Sequence, residues 1–247
     1  MKQDWQHLKI QSETWKPEEV LRWAFANFGQ GVEMASGLGV EGIVLIDIAS
    51  RLNRDLRVFT LDTEFLFPET YDLIDRVEER YGIKFERIYS ALTPEEQERA
   101  HGPALWKRDP DQCCDLRKVA PLKKKLSRLD AWITAIRREQ TPARAGAGKI
   151  EWDEKFQLLK INPIADWTTK QVWNYVFEHD VPYNPLHDQN FPSIGCTHCT
   201  RSVRPGEDSR AGRWAGLQKT ECGLHVEAPV VAAAPLVRIA VAASCEE

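Results

Sequence analysis

Cys113 and Cys114 stand side by side, and far down the chain Cys196 and Cys199 bracket Thr197-His198. Thiolates gathered in two clusters are metal-ligand chemistry. A tetrahedral zinc ion is one reading, but its ligand pairs usually sit roughly two to four residues apart. Neighbouring side chains of an extended segment also point to opposite sides. An iron–sulfur cluster presents several irons at different corners, which relaxes that demand. Buried, unrelated thiols are the plain alternative. Cys222 is different in kind, lying in the polar, turn-like run Lys219-Thr220-Glu221-Cys222-Gly223-Leu224-His225. A thiol attacks as its thiolate, which nearby positive charge favours, and Lys219, Arg210 and Arg213 are close in sequence. An activated cysteine there suits attack on a substrate followed by delivery to a partner; an inert thiol is the bland reading. His225 could orient or deprotonate it, or simply shape a turn. Cys245, third from the end, reads as an ordinary thiol.

Two further features could serve an anionic substrate. Ser36-Gly37-Leu38-Gly39-Val40-Glu41-Gly42 joins a strand-like run to a helix-like one. Such a loop can bring backbone N–H groups and a helix amino terminus to a phosphate. It lacks the Lys-Ser/Thr ending of a Walker loop and does not match the dinucleotide fingerprint, so a plain tight turn stands beside it. Basic residues follow each cysteine pair: Arg117, Lys118, Lys123, Lys124, Lys125 and Arg128 after the first, and Arg201, Arg204, Arg210 and Arg213 after the second. Lys123–Lys125 fits a solvated face, whereas Arg210 and Arg213, at helical spacing beside Trp214, could grip an anion bidentately.

The elements that must position these groups follow from periodicity. A helix is predicted over 17–28, another over the nearly all-apolar 43–52, and a third from Pro68, where Tyr71, Ile74, Val77 and Tyr81 recur on one face. A fourth spans 168–178. Strands are predicted at 31–35, 56–61, 83–89, 131–136 and 158–161. The alternation implies an α/β fold, a mostly parallel sheet with helices on both faces. Ligands then bind beyond the carboxyl ends of the strands, where residues 36–42 and 62–67 fall. Residues 138–154, with Pro142, Gly146 and Gly148 among charges, read as a mobile loop, and beyond Pro182 the chain is turn-rich. With 247 residues, 43% hydrophobic and 28% charged, the chain is not fibrous or disordered. A net charge of −4 counts against nucleic-acid binding, and no run of apolar residues could cross a membrane. The start of the chain carries no signal-peptide pattern. A cytoplasmic location is therefore expected, with the thiols used for metal or catalysis, not disulfides.

The run Cys113-Cys114-Asp115-Leu116-Arg117-Lys118-Val119-Ala120-Pro121-Leu122 resembles the cysteine-pair motif of assimilatory adenylyl-sulfate (APS) reductases. Residues 131–134 (AWIT), 182–187 (PYNPLH), 193–201 (SIGCTHCTR), 212–214 (GRW) and 221–225 (ECGLH) are similar to further motifs of that family, in the same order. The resemblance implies an adenine-nucleotide α-hydrolase-like fold related to the PP-loop ATP pyrophosphatases. It implies one [4Fe–4S] cluster on Cys113, Cys114, Cys196 and Cys199. It implies substrate contacts from Ser36, Gly37, Leu61, Thr63, Lys118, Arg137, Arg210 and Arg213. Cys222 would attack the sulfur of APS, expel AMP and hold a thiosulfonate, from which thioredoxin would release sulfite. Residues 1–215 would form the reductase domain and 216–247 a mobile tail carrying Cys222. The chain departs from the family in the loop Ser36-Gly37-Leu38-Gly39-Val40-Glu41, where Ser-Gly-Ala-Glu-Asp or Ser-Phe-Gly-Ala-Glu is more usual, and at Glu64, where glycine commonly follows Leu-Asp-Thr. The nearest alternative is a 3′-phosphoadenylyl-sulfate (PAPS) reductase, a group that shares the 221–225 motif but typically lacks both cysteine pairs, or an enzyme using both substrates. An ATP-cleaving transferase would carry Ser-Gly-Gly-x-Asp-Ser, which Leu38, Val40 and Glu41 break, and a non-catalytic zinc module is the remaining class.

Overall fold

Val32, Met34, Val58, Phe59, Ala131, Trp132 and Ile133 are buried whichever way they point from their strands, the pattern of a sheet covered on both sides. In the computed structural model, which describes residues 5–225, the chain runs α1 (Trp5–Ser12), α2 (Pro17–Phe28), β1 (Val32–Ala35), α3 (Val40–Ser50), β2 (Val58–Asp62), α4 (Pro68–Tyr81) and β3 (Phe85–Tyr89). Four short helices follow, α5 (Pro94–His101), α6 (Leu105–Arg108), α7 (Pro110–Cys114) and α8 (Ala120–Leu126), with a π turn (Asp115–Val119) between the last two. Then come β4 (Ala131–Ile133), β5 (Ile150–Asp153), β6 (Leu158–Ile161) and α9 (Thr169–Glu178). The tail from Ala228 and Cys245 lie outside the described residues.

The strands lie in the order β3-β2-β1-β4-β6-β5, parallel except for β5, which pairs antiparallel with β6. One face of the sheet packs on α2, α3, α4 and α9 through Val20, Leu21, Ile74, Val77 and Val172. The other meets α8, whose Leu122 and Leu126 close over Phe59, Trp132 and Leu158. α3 is buried on nearly every side because it lies against both the sheet and neighbouring helices. α4 starts on Pro68 and ends on Gly82, whose left-handed φ of 64° lets the chain turn into β3. Chain order reverses direction between β1 and β4, which opens a crevice at their carboxyl ends.

The expected sheet and helices at 17–28 and from Pro68 stand as predicted. The 138–154 segment does not form a featureless loop. It contains two 3-10 turns (Arg138–Gln140 and Pro142–Arg144) and edge strand β5. Ile150 and Trp152 of β5 are buried beside Glu151, a period-two signal only four residues long. Helices α5 and α7 carried sequence signals: Thr93 and Asp109 each cap a helix opened by proline, Thr93 closing a reciprocal box with Glu96.

Candidate active site

The crevice between β1 and β4 widens into a cavity of about 840 Å³. Its floor is the glycine loop. Ser36 is buried, and its hydroxyl accepts a hydrogen bond from the Leu38 N–H at 3.2 Å. A side chain at Gly42 would come within 2.6 Å of the Ser36 oxygen, so glycine lets the first turn of α3 sit on that serine. The amino end of α3 therefore faces the cavity with unpaired backbone N–H groups, a place for an anion. Leu61 and Thr63, leaving the end of β2, form a second wall.

Lys118, Arg210, Arg213 and Cys222 line the same cavity as Ser36, Gly37, Leu61, Thr63 and Arg137, so every expected substrate contact and the expected nucleophile converge. Arg213 is held by Ser193 (3.1 Å) and by the Ile194 carbonyl, and its guanidinium lies 4.5 Å from the Trp214 ring. Its Nε is buried without a partner. Arg210 donates to the Thr220 carbonyl at 2.9 Å, and burial pushes its pKa below the usual arginine value. Arg137 is placed differently. Its Nε and Nη2 donate to Glu41 (3.2 and 2.9 Å), Nη1 to Glu139 and the Trp167 carbonyl, and Nη2 to Thr169. With all five N–H groups engaged, Arg137 fastens the first turn of α3 to the start of α9.

The segment that carries Cys222 is seated on the cavity. Lys155 donates to the Gly223 carbonyl at 2.6 Å, Leu224 packs beside Trp132, and the His225 ring stacks on Trp132 at 5.6 Å. Neither Lys155 nor the stack was signalled by the sequence, because both partners are distant in the chain. Burial, with Lys160, Arg144, Arg210 and Lys155 around it, holds the His225 pKa well below the usual histidine value. The docked form thus binds fewer protons than the free segment, so docking is fully present above about pH 6.5 and is lost as pH falls from there toward the depressed pKa. Amide exchange of 219–225 is expected to accelerate between pH 7 and pH 5.5 after correction for intrinsic rates. His225→Gln should remove that pH dependence.

The four paired cysteines surround a separate small pocket, with Phe65, Trp106, Arg117, Lys118 and His198 completing its wall. Being helical and not extended, Cys113 and Cys114 at the end of α7 can both face it. Cys196 and Cys199 flank a 3-10 turn on the opposite side. All four are free thiols. Burial and then their neighbours' charge push Cys113 and Cys199 up, Cys199 to about 11. Burial, joined by the charges of Cys222 and Cys196, raises Cys114 against Lys118 and Lys219. Burial also works against the Cys196 thiolate, but Lys118, Thr63 and Arg213 outweigh it and bring that thiol down. Among the described residues, no three His, Cys, Asp or Glu side chains are gathered as one metal ion requires. The sulfurs enclose a space and do not meet at a point. Arg117, 1% exposed, also borders this pocket, and its Nη2 is buried without a partner. Four thiols with a lysine and an orphaned guanidinium N–H fit an anionic, multi-metal thiolate group. Lys118 and Cys196 border both spaces, so the two sites share a wall.

Glu64 takes the left-handed conformation, φ 58°, at the position where glycine would be unstrained. Its carboxylate pairs with Arg117 Nη1 at 2.7 Å. Glu64→Gly relieves about 1 kcal/mol of backbone strain but strips a buried guanidinium of its counter-charge, which costs about 3 kcal/mol or more. Net destabilisation is expected, read as a fall in Tm of roughly 4–8 °C. A rise in Tm would show that the ion pair contributes little.

Comparison with known proteins adds the following. Residues 31–202 match the model of the phosphoadenosine phosphosulfate reductase domain. The chain is 48% identical over 208 residues to a protein named adenosine 5′-phosphosulfate reductase from Halalkalibacterium halodurans, covering 84% of this chain and 90% of that one. It is 47% identical over 220 residues to one of the same name from Staphylococcus epidermidis, covering 89% and 90%. Among solved structures it resembles phosphoadenylyl-sulfate reductase from Candida auris, crystallised as a phosphate complex, with a TM-score of 0.68 and 32% identity over 80% of this chain and 95% of that one. Candida glabrata FMN adenylyltransferase shares the fold at 13% identity, with a TM-score of 0.54 over 75% of this chain and 64% of that one.

Proposed function

The chain belongs to the phosphoadenosine phosphosulfate reductase domain family, and on that footing we propose that it reduces APS to sulfite and AMP in sulfate assimilation. The observation that carries this reading is the meeting of Cys222 with Lys118, Arg210 and Arg213 on a cavity whose floor is a glycine loop and a helix amino terminus. APS is anionic and so is an attacking thiolate. Fixed cations between them remove the repulsion and favour the charge that builds on the leaving phosphate. The Cys222 sulfur forms a bond to the sulfur of APS as the sulfur–oxygen bond to phosphate breaks. AMP leaves with that electron pair, and Cys222 holds an S-sulfonate. The 36–42 loop and α3 hold the 5′-phosphate, with the nucleoside along the Leu61–Thr63 wall. A thiolate of thioredoxin then attacks the Cys222 sulfur, forming a mixed disulfide as the sulfur–sulfur bond to the sulfonate breaks and sulfite departs with the electron pair. The second thioredoxin thiol attacks that mixed disulfide, closing thioredoxin's own disulfide and returning Cys222 as a thiolate. Two electrons pass from the dithiol to sulfur. The segment carrying Cys222, seated against the reductase domain of residues 1–215, would leave that seat to present the adduct to thioredoxin.

Cys113, Cys114, Cys196 and Cys199 would hold one [4Fe–4S] cluster. When bound, it supplies a charged centre beside Lys118 and a covalent tie between α7 and the 196–199 turn. Burial disfavours the Lys118 ammonium, yet the sulfurs of Cys196, Cys222 and Cys114 outweigh it and raise its pKa. Lys118 therefore carries its charge between the two spaces. No described helix is long and apolar enough to cross a membrane, and a cytoplasmic location is in keeping with the proposed use of thioredoxin.

Sulfur-labelled APS and PAPS, each incubated with anaerobically purified protein without reductant, test the reading. APS is expected to leave a covalent sulfonate on the protein that reduced thioredoxin discharges as sulfite. Labelling by PAPS alone would overturn the substrate, and labelling by both would make the enzyme dual.

A further inference from the structure

Glu221 immediately precedes the nucleophile, and its side chain is only 6% exposed. Its two carboxylate oxygens face Arg144, whose Nε donates to one at 3.0 Å and Nη2 to the other at 2.8 Å, a two-pronged pairing. The Thr141 hydroxyl donates to the first oxygen at 3.0 Å, and Arg210 Nη2 lies 3.6 Å from the second. Arg144 ends the second 3-10 turn, Pro142–Arg144, and Thr141 stands immediately before it. That turn is anchored in turn: Arg144 Nη1 donates to Gln140, and Gln140 Nε2 donates to Glu41 in the first turn of α3. A continuous chain of polar contacts thus runs from the glycine-loop helix through Gln140 and Arg144 to the residue beside Cys222.

We propose that Glu221 is the positioning residue of the nucleophile, latching the Cys222 segment onto Arg144 and so onto the glycine-loop helix. The role rests on the APS-reductase reading only for what the latched cysteine attacks; the latch itself is independent of it. Arg144 lines the cavity, yet its two donors toward Glu221 are taken by that carboxylate, so it holds the tail while Lys118 and Arg213 face the substrate. The bend at Gly223, φ 84°, turns the chain immediately after the nucleophile, and the Lys155 bond to the Gly223 carbonyl fixes the far side of the bend. Cys222 is thereby held between two anchors, one ionic and one to backbone.

The test is the rate at which Cys222 of the intact holoenzyme is alkylated by iodoacetamide at pH 8, followed by peptide mapping. Glu221→Gln and Arg144→Met change the local charge in opposite directions and would move the intrinsic reactivity of a nearby thiol in opposite directions. Release of the latch exposes the cysteine in both. The expected result is a roughly tenfold faster alkylation in each single variant, with the double variant no faster than either single one. Thr141→Val, which keeps both charges, gives a smaller rise in the same direction and serves if either charge variant folds poorly. Opposite shifts in the two charge variants, or single effects that multiply in the double, would overturn the latch. In single-turnover reaction with labelled APS, Glu221→Gln should slow adduct formation about tenfold while half-saturation by APS moves less than about threefold. Unchanged adduct formation would deny the latch its positioning role. A wild-type protein that never labels with APS, but shows the alkylation pattern, would remove the substrate reading and leave the latch standing.

Discussion

Cys222→Ser is expected to lower APS turnover by at least about a thousandfold and to abolish labelling by sulfur-labelled APS. A serine hydroxyl at neutral pH is almost wholly protonated and is a poor nucleophile toward sulfur, while its size and shape leave the seat of residues 219–225 unchanged. The Glu221, Gly223 and Leu224 contacts do not involve the Cys222 sulfur, so the variant should keep its fold and its affinity for AMP within about twofold. Retained AMP binding separates loss of chemistry from loss of the site. A second thiol makes the experiment discriminating. Cys196 also lines the cavity, beside Lys118 and Thr63. Label that persists in Cys222→Ser and maps to Cys196 would move the nucleophile to the shared wall and overturn the assignment.

The second large effect concerns that wall. Anaerobically purified protein should be brown and hold about four irons and four acid-labile sulfides per chain, and Cys196→Ser should lose most of both. Cys196 is the most consequential ligand to remove because it ties together more than the cysteine pocket. Its sulfur meets the Thr63 hydroxyl at 3.3 Å and sits against Lys118. Its loss should therefore also weaken AMP binding, by roughly tenfold, whereas Cys199→Ser, away from the nucleotide cavity, should lose iron with a smaller effect on AMP. A colourless wild-type protein with one zinc would overturn the cluster and favour a mononuclear site.

The sheet was legible because its strands and helices obey period and length. Helix 17–28 buries Val20, Leu21 and Ala24, and on α4 Ile74 and Val77 lie where the pattern put them, with Leu73 buried beside them. The cavity was legible from the same alternation, since strand ends had to meet at Ser36 and Leu61. The cysteine pairs were legible by type and spacing. Their shared orientation was not, because a two-residue motif does not announce that it closes a five-residue helix. Residues 138–154 were misread for a related reason. Charge and glycine dominate the window, and what orders it is contact with distant groups: Arg138 with Glu13, Arg144 with Glu221, and β5 with β6. Arg137 was found by position, but no spacing could have told that Glu41 and Glu139 would occupy it. Glu64 read as a departure; the structure supplies its reason in Arg117.

The π turn at Asp115–Val119 has a consequence for how this stretch can vary. It amounts to one residue inserted into an otherwise α-helical run from α7 to α8, and it sets the angular phase between Cys114 and Lys118. A deletion of one residue at Asp115 or Leu116 would restore an even helix and, with both cysteines and the lysine still present, rotate the lysine out of step with the cysteines. Across descendants of this chain, the segment can exchange side chains around its circumference while its length stays fixed.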